Sequence, residues 1–338
     1  MKYIRCDQPE SLTLHTKSEP ILIASHALLR VKQVGICGTD LHAFKGNQPF
    51  FSYPRILGHE LATEIIEVNQ NNDGLKSGDK VVTIPYINCE ECVACKSGKS
   101  NCCENIKVFG VHIDGGMQEV ILFPSRLLIS ANDLSHDEIT IVEPLAIGAH
   151  ALRRANTKKN DIIVVMGCGP IGMGIIQLAK SLGAMVIAID INDHRLQIAK
   201  QSFEADLALN ALDNPIEKIK HFTNGVLAHT VIDATGSKAA IENGTNYMRH
   251  GGNLVLVGLY KGELSFQHPV IHAKETTLLC SRNATRQDFE FVMKVLREKK
   301  FNTGAYITKK VNFESIPSGF NDWSNRESKE IKVVTVWN

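Results

Sequence analysis

Four cysteines, Cys89, Cys92, Cys95 and Cys103, fall within one short stretch of this chain. Four thiolates so close together can enclose a tetrahedral zinc ion and leave no position open. That is the chemistry of a structural metal. Cys102 adjoins Cys103, so on spacing alone either can supply the fourth sulfur. Chance clustering of free thiols is the plainer alternative, and the density of the cluster argues against it. Disulfides are the other use of such spacing, but in a long chain expected to be cytoplasmic the pattern reads as metal-binding.

A second chemistry-bearing pattern is Gly167-Cys168-Gly169-Pro170-Ile171-Gly172. It follows the apolar run IIVVM and opens a helical pattern. The first glycine of such a turn allows the tight reversal, the second lets a pyrophosphate approach the backbone, and the third lets helix and strand pack closely. The helix N-terminus adds free N–H groups and a positive dipole end for phosphate. An isolated glycine turn is the bland reading. Here a second strand, MVIAID, ends in Asp190, where a carboxylate can accept hydrogen bonds from both ribose hydroxyls and repel a 2′-phosphate. NAD is therefore expected over NADP. A helix-capping aspartate is the alternative for Asp190. Arg195, nearby, can stack on adenine or reach a phosphate.

Three further pieces are dispersed: Gly35-Ile36-Cys37-Gly38-Thr39-Asp40-Leu41-His42, then Gly58-His59-Glu60, then Glu143-Pro144. Each is weak alone, since a single cysteine is usually buried filler and a single histidine a core or surface residue.

The elements that must position these residues differ along the chain. The first 130 or so residues are punctuated by Gly and Pro, with short runs such as LLRVKQVGI and DKVVTIP, which predicts a mainly β domain. From residue 161 to 280, apolar runs alternate with helical patterns. The runs lie at 162–166, 185–190, 206–210, 230–235, 253–259 and 276–280. Near-continuous β-branched runs suit strands covered on both faces, and the repeated order implies a doubly wound parallel sheet. Helices are expected in GMGIIQLAKSLG and across KAAIENGTNYMRH. The helix DFEFVMKVLREKK and the strand IKVVTVW should pack back on the first domain. The expected division is 1–150, with a cysteine lobe at 86–104, then 151–284, then 285–338.

The 338 residues suit two domains, and hydrophobic (43%) and charged (22%) fractions are those of a soluble protein. A net charge of +1 with scattered Lys and Arg argues against a nucleic-acid partner. No run approaches a membrane span, and MKYIRCDQPESL lacks an apolar signal core, so a cytoplasmic enzyme is expected.

Taken jointly, CGTDxH, GHE, the four-cysteine lobe, EP, the glycine fingerprint and SRNAT at 281–285 resemble the zinc-type medium-chain alcohol dehydrogenase family, in its polyol and sugar branch. The resemblance spans nearly the whole chain. It implies an α/β protein with a GroES-like catalytic domain, a Rossmann domain, and an active site in the cleft between them. It also implies two zinc ions per chain and a homodimer or homotetramer. The stretches GNQPFFSYPRILGHE and SRNATRQDF resemble a bacterial type that oxidises L-galactonate. The expected substrate is thus a sugar acid or polyol. A neutral polyol or an amino alcohol is the alternative.

Carried over residue by residue, Cys37, His59 and Glu143 look like catalytic-zinc ligands, with Glu60 as an exchangeable fourth. Neighbours in a strand point to opposite faces, so His59 and Glu60 can share a metal only if the backbone bends. Thr39 resembles the family's hydroxyl relay, His42 its solvent-side base, and Asp40 the partner that orients His59. The cofactor would contact Gly167, Gly169, Pro170, Ile171, Gly172, Asp190, Arg195, Gly258 and Arg282. Zinc with an open position acidifies a bound alcohol, and hydride then passes to the nicotinamide. Arg282 is the preferred partner for a substrate carboxylate, with Lys45 second and Asn47 and Gln48 offered to hydroxyls. Thr63 and Asn69 depart from the family's small residues and bear on local turn geometry. Rival readings are a zinc lyase or isomerase on this scaffold, a zinc-ribbon binding protein, and a catalytically silent relative. The intact fingerprint opposes the first, the second ligand set the next, and the retained Cys37, His59 and Thr39 the last.

Overall fold

A computed structural model describes residues 1–48, 51–69, 71, 74–325 and 329–337. The chain forms two compact units, Met1–Glu143 with Thr303–Asn338, and Pro144–Asn302. The helix Val142–Arg154 carries the junction.

The first unit is built on a largely antiparallel seven-stranded sheet. Its strands run in the order Ile307–Asn312, Lys332–Val336, His26–Gly35, Glu60–Val68, Lys80–Thr83 and Leu128–Ser130, and Val120–Pro124 also pairs with His26–Gly35. The long strand His26–Gly35 alternates as a half-covered strand should as far as Gln33, burying Ala27, Leu29, Val31 and Gln33, and its last residues, Gln33 to Gly35, are all buried. Thr63 is buried in the next strand, and its hydroxyl donates to the Val81 carbonyl at 3.1 Å. Asn69 follows that strand and donates to Ile23 O at 2.7 Å. Both departures from small residues are thus satisfied by local hydrogen bonds.

The second unit holds a six-stranded, all-parallel sheet. From one edge its strands are Leu207–Asn210, Met185–Asp190, Ile162–Met166, Ala228–Asp233, Met248–Leu256 and Thr277–Cys280. In chain order that is third, second, first, fourth, fifth, sixth, the arrangement of a dinucleotide-binding sheet with its switch point between Ile162–Met166 and Ala228–Asp233. Val164, Ile187 and Val231 are completely buried, which explains why these strands read as unbroken apolar runs.

Three expectations need correcting. The helix anticipated across 238–250 ends at Asn243, and after a short turn the strand Met248–Leu256 begins. The helix Arg286–Arg297 stays with the second unit and does not return to the first. It buries Phe289, Val292, Met293 and Leu296 there, and Asp288 bonds to His150 and Arg153 of the same unit. The boundaries therefore fall after Glu143 and Asn302, not at 150 and 284. The final strand does rejoin the first unit, where Val334 pairs with Gly35.

Candidate functional site

The cysteine lobe lies between the paired strands Tyr86–Ile87 and Lys107–Val108. A short helix, Val93–Lys96, and a single turn, Ser100–Cys102, fold the loop back on itself. The sulfurs of Cys89, Cys92, Cys95 and Cys103 lie within 4.8 Å of one another. Cys103 is buried and belongs to the set, whereas Cys102 is exposed, which resolves the choice that spacing left open. Backbone N–H groups point at the sulfurs, from Cys89 to Cys103 Sγ at 3.3 Å and from Cys92 to Cys89 Sγ at 3.4 Å. The Cys92 and Glu91 amides push the Cys89 thiol down to about 6. Four sulfurs with donors arranged for thiolates fit a closed zinc site.

In the same unit a second group gathers: Cys37, His59 and Glu60 bring ligand atoms within 4.8 Å of one another. Cys37 caps the helix Gly38–Phe44, with the Thr39 amide on its sulfur at 3.4 Å. Asp40, fully buried, closes the capping box by accepting from Cys37 N at 2.9 Å, and its other oxygen accepts from Gly58 N at 3.2 Å. Asp40 Oδ1 also faces His59 Nδ1 at 3.8 Å. Burial raises the Asp40 carboxyl, and the nearby imidazole opposes the rise.

The expected conflict between His59 and Glu60 does not arise. The strand starts at Glu60, and Gly58 at φ +93 turns the chain just before His59. The alternation of a regular strand therefore does not apply to this pair. His59 Nδ1 is buried without a hydrogen-bond partner among the described residues. Burial lowers the imidazole, but Cys37 and Asp40 outweigh it and hold His59 well above its ordinary value. A thiol, an imidazole and a carboxylate around one point fit a catalytic zinc with a position to spare.

Glu143 is not among those three residues. Its buried carboxylate accepts the Tyr86 hydroxyl, and burial pushes the carboxyl up to about 7. It is near enough to act on His59 electrostatically. Thr39 is half-buried and His42 exposed. Lys45 is already engaged, donating to Glu10 Oε1 at 3.0 Å and Asn321 Oδ1 at 3.1 Å, which weakens it as a carboxylate partner. Asn47 is exposed. Gln48 Oε1 is buried without a hydrogen-bond partner among the described residues. Pro49 and Phe50 of the sugar-branch stretch lie outside the described residues. Sequence reading missed Lys332, Tyr86 and Tyr306, all buried in this unit, because nothing in their local pattern marks them.

In the second unit, Gly167 takes φ +94 at the end of Ile162–Met166, and Gly169 caps the helix Pro170–Ser181, whose first turn holds Pro170 and Ile171. A Cβ at Gly172 would lie 1.7 Å from Gly167 O, so the third glycine is required by packing. A Cβ at Gly169 would meet nothing within 4 Å, so the space beside the helix N-terminus is open, as the close approach of a pyrophosphate requires. Asp190 Oδ2 accepts from Cys168 N at 2.6 Å and Oδ1 from Asn192 N at 2.9 Å, so this carboxylate also braces the glycine turn. Arg195 is half-buried in the first turn of the helix Asp193–Ser202. Gly258 packs against Gly236, where a Cβ would approach its nitrogen to 2.1 Å. Arg282 is exposed just beyond Thr277–Cys280.

These features define a class. Residues 24–133 match the family model described as alcohol dehydrogenase GroES-like domain, and residues 170–298 match zinc-binding dehydrogenase. The chain belongs to the zinc-dependent alcohol dehydrogenases and is an oxidoreductase. It is 42% identical to L-galactonate-5-dehydrogenase of Escherichia coli K12, over 94% of this chain and 93% of that one. It is similar in structure to an E. coli CFT073 alcohol dehydrogenase (rspB) complexed with NADH, with TM-score 0.92 and 27% identity over 99% of each chain. It also resembles E. coli galactitol-1-phosphate dehydrogenase, with TM-score 0.92 and 26% identity over 99% of this chain and 100% of that one. Among the described residues no helix is long and apolar enough to cross a membrane.

Proposed function

We propose that the chain oxidises a secondary alcohol of a hexonate such as L-galactonate to the ketone, passing hydride to NAD. The observation that carries the reaction type is the convergence of Cys37, His59 and Glu60 on one point. The similarity to L-galactonate-5-dehydrogenase supports the substrate class.

Two zinc ions per chain fit the two ligand groups, with Cys89, Cys92, Cys95 and Cys103 holding one. Cys37 and His59 would hold the other, with Glu60 and Glu143 as its carboxylate partners. When bound there, zinc supplies Lewis acidity to the alcohol. The chain's residues do the rest. Asp40 fixes Cys37 and Gly58 through their amides and faces His59, so the ligand geometry is set before substrate arrives. The Thr39 hydroxyl, two residues beyond Cys37, accepts the alcohol proton as it gives up its own toward exposed His42, which releases a proton to water. Gln48 Oε1 accepts from a substrate hydroxyl. Arg282 pairs with the substrate carboxylate. Asp190 favours NAD by accepting ribose hydroxyls and repelling a 2′-phosphate.

A panel of aldonates and matching neutral polyols, assayed with NAD and NADP by absorbance of the reduced nicotinamide, tests this reading. A hexonate should exceed its polyol in kcat/KM, and Arg282→Ala should remove most of that advantage while sparing the polyol. A polyol that outperforms the acid would sink the sugar-acid assignment, and faster turnover with NADP would sink the cofactor assignment.

A further inference from the structure

Burying a lysine is costly unless its charge is paired, and Lys332 is only 2% exposed. It opens the strand Lys332–Val336, whose Val334 pairs with Gly35 while Gly35 pairs in turn with Glu60. Gly35 has no side chain to fill the space between its neighbours. A Cβ there would lie 2.2 Å from Glu60 Oε2. Glu60 occupies that space. Lys332 Nζ donates to both Glu60 oxygens at 2.7 Å and to the Ile36 carbonyl at 3.1 Å. All three ammonium protons are thereby used.

Glu60 is therefore contested. Its carboxylate belongs to the group formed with Cys37 and His59, yet both of its oxygens already accept from a buried cation. With Cys37 and His59 in place, a carboxylate free to bind through both oxygens would fill the two remaining tetrahedral positions, whereas one oxygen leaves a position open. A carboxylate shared with an ammonium donates less charge and is held by a second anchor.

We propose that Lys332 is a positioning residue that restrains Glu60 from closing the shell of a metal held by Cys37 and His59, so that one position stays available to substrate. The inference rests on the metal reading of that group given under Proposed function.

Lys332→Met removes the ammonium and keeps an aliphatic side chain of similar length. Glu60 must then stay unpaired in the interior or turn fully to the metal. Zinc loss to dipicolinate should slow by about tenfold, and kcat/KM should fall by about tenfold, the scale of changes to groups behind a metal ligand. Cobalt exchanged into the site should show altered visible bands, because its coordination has changed. Lys332→Arg should restore release rate, bands and turnover. Adding Glu60→Ala to Lys332→Met should abolish the slow release.

Release and cobalt bands like those of the unaltered chain, or faster release, would overturn the proposal and leave Lys332 as a charge partner alone. If Lys332→Met does not fold, Lys332→Gln, which still offers one donor, is put through the same release comparison and decided by the same outcomes. Cys37→Ser tests the underlying reading separately. Unchanged metal content in that variant would overturn the metal assignment, whereas lowered content together with unchanged release in Lys332→Met overturns only the role of Lys332.

Discussion

A methyl group added at Gly172 would lie 1.7 Å from the Gly167 carbonyl oxygen. Ordinary carbon contacts begin near ~3.5 Å, so the start of helix Pro170–Ser181 would have to retreat from the strand end. Backbone shifts of that kind in a packed core cost about 1–3 kcal/mol. For a unit of this size, that lowers Tm by roughly 2–12 °C. Gly169, three residues earlier, makes the contrast. Its Cβ would meet nothing within 4 Å, and its φ of −79 suits alanine. Losing glycine at the helix cap costs up to about 1 kcal/mol. Restricting the unfolded chain returns about 0.4–1 kcal/mol. Gly169→Ala should therefore melt within about 2 °C of the parent. A pyrophosphate against that glycine would nonetheless be displaced by the methyl group. NADH affinity should fall at least tenfold, or about 1.4 kcal/mol. Thermal melts and calorimetric titration with NADH and ADP-ribose measure both quantities. Parental NADH affinity in Gly169→Ala, or a parental melt in Gly172→Ala, would refute the argument.

Elemental analysis should find about two zinc ions per chain, and Cys92→Ser should lose thermal stability before it loses turnover, since a closed thiolate site holds structure. One metal or none in fresh protein counts against this. In the second unit, Asp288 is buried and accepts from His150 Nδ1 at 2.9 Å, Arg153 Nε at 2.6 Å and Thr285 N at 2.8 Å. Burial pushes its carboxyl up, but the bonds from His150 and Arg153 prevail and hold it well below the usual range. Asp288→Asn should cost about 2–4 kcal/mol near neutral pH. Because the folded pKa is depressed, this stabilisation is present above the unfolded value of about 3.9 and is lost as pH falls below it. The Tm gap between parent and variant should therefore shrink on acidification from about pH 5 to 3, and a constant gap would show that the carboxylate charge is not the source.

Local chemistry was legible wherever a few adjacent residues carry the whole constraint. The glycine fingerprint and the cysteine lobe are such cases, and the strands 162–166 and 185–190 were read to the residue, because a strand covered on both faces shows itself as an apolar run. The stretch KAAIENGTNYMRH misled, because its helical pattern runs on past Asn243 while Met248 is taken up by pairing with the neighbouring parallel strand. Sheet pairing between distant segments is not encoded in short-range periodicity. The same holds for the helix Arg286–Arg297, whose apolar face suits any core and whose place was settled by Asp288 meeting His150 and Arg153. Spacing named Cys103 but left Cys102 as a substitute, and only the fold of the lobe, with Cys103 buried and Cys102 exposed, decided between them. Cys37, His59 and Glu60 each have a local motif, but their convergence needed the turn at Gly58. Lys332 had no signal at all. It lies 272 positions from Glu60, on an ordinary-looking strand, and became a buried cation because antiparallel pairing set that strand beside Gly35, where the missing side chain left room for both charges.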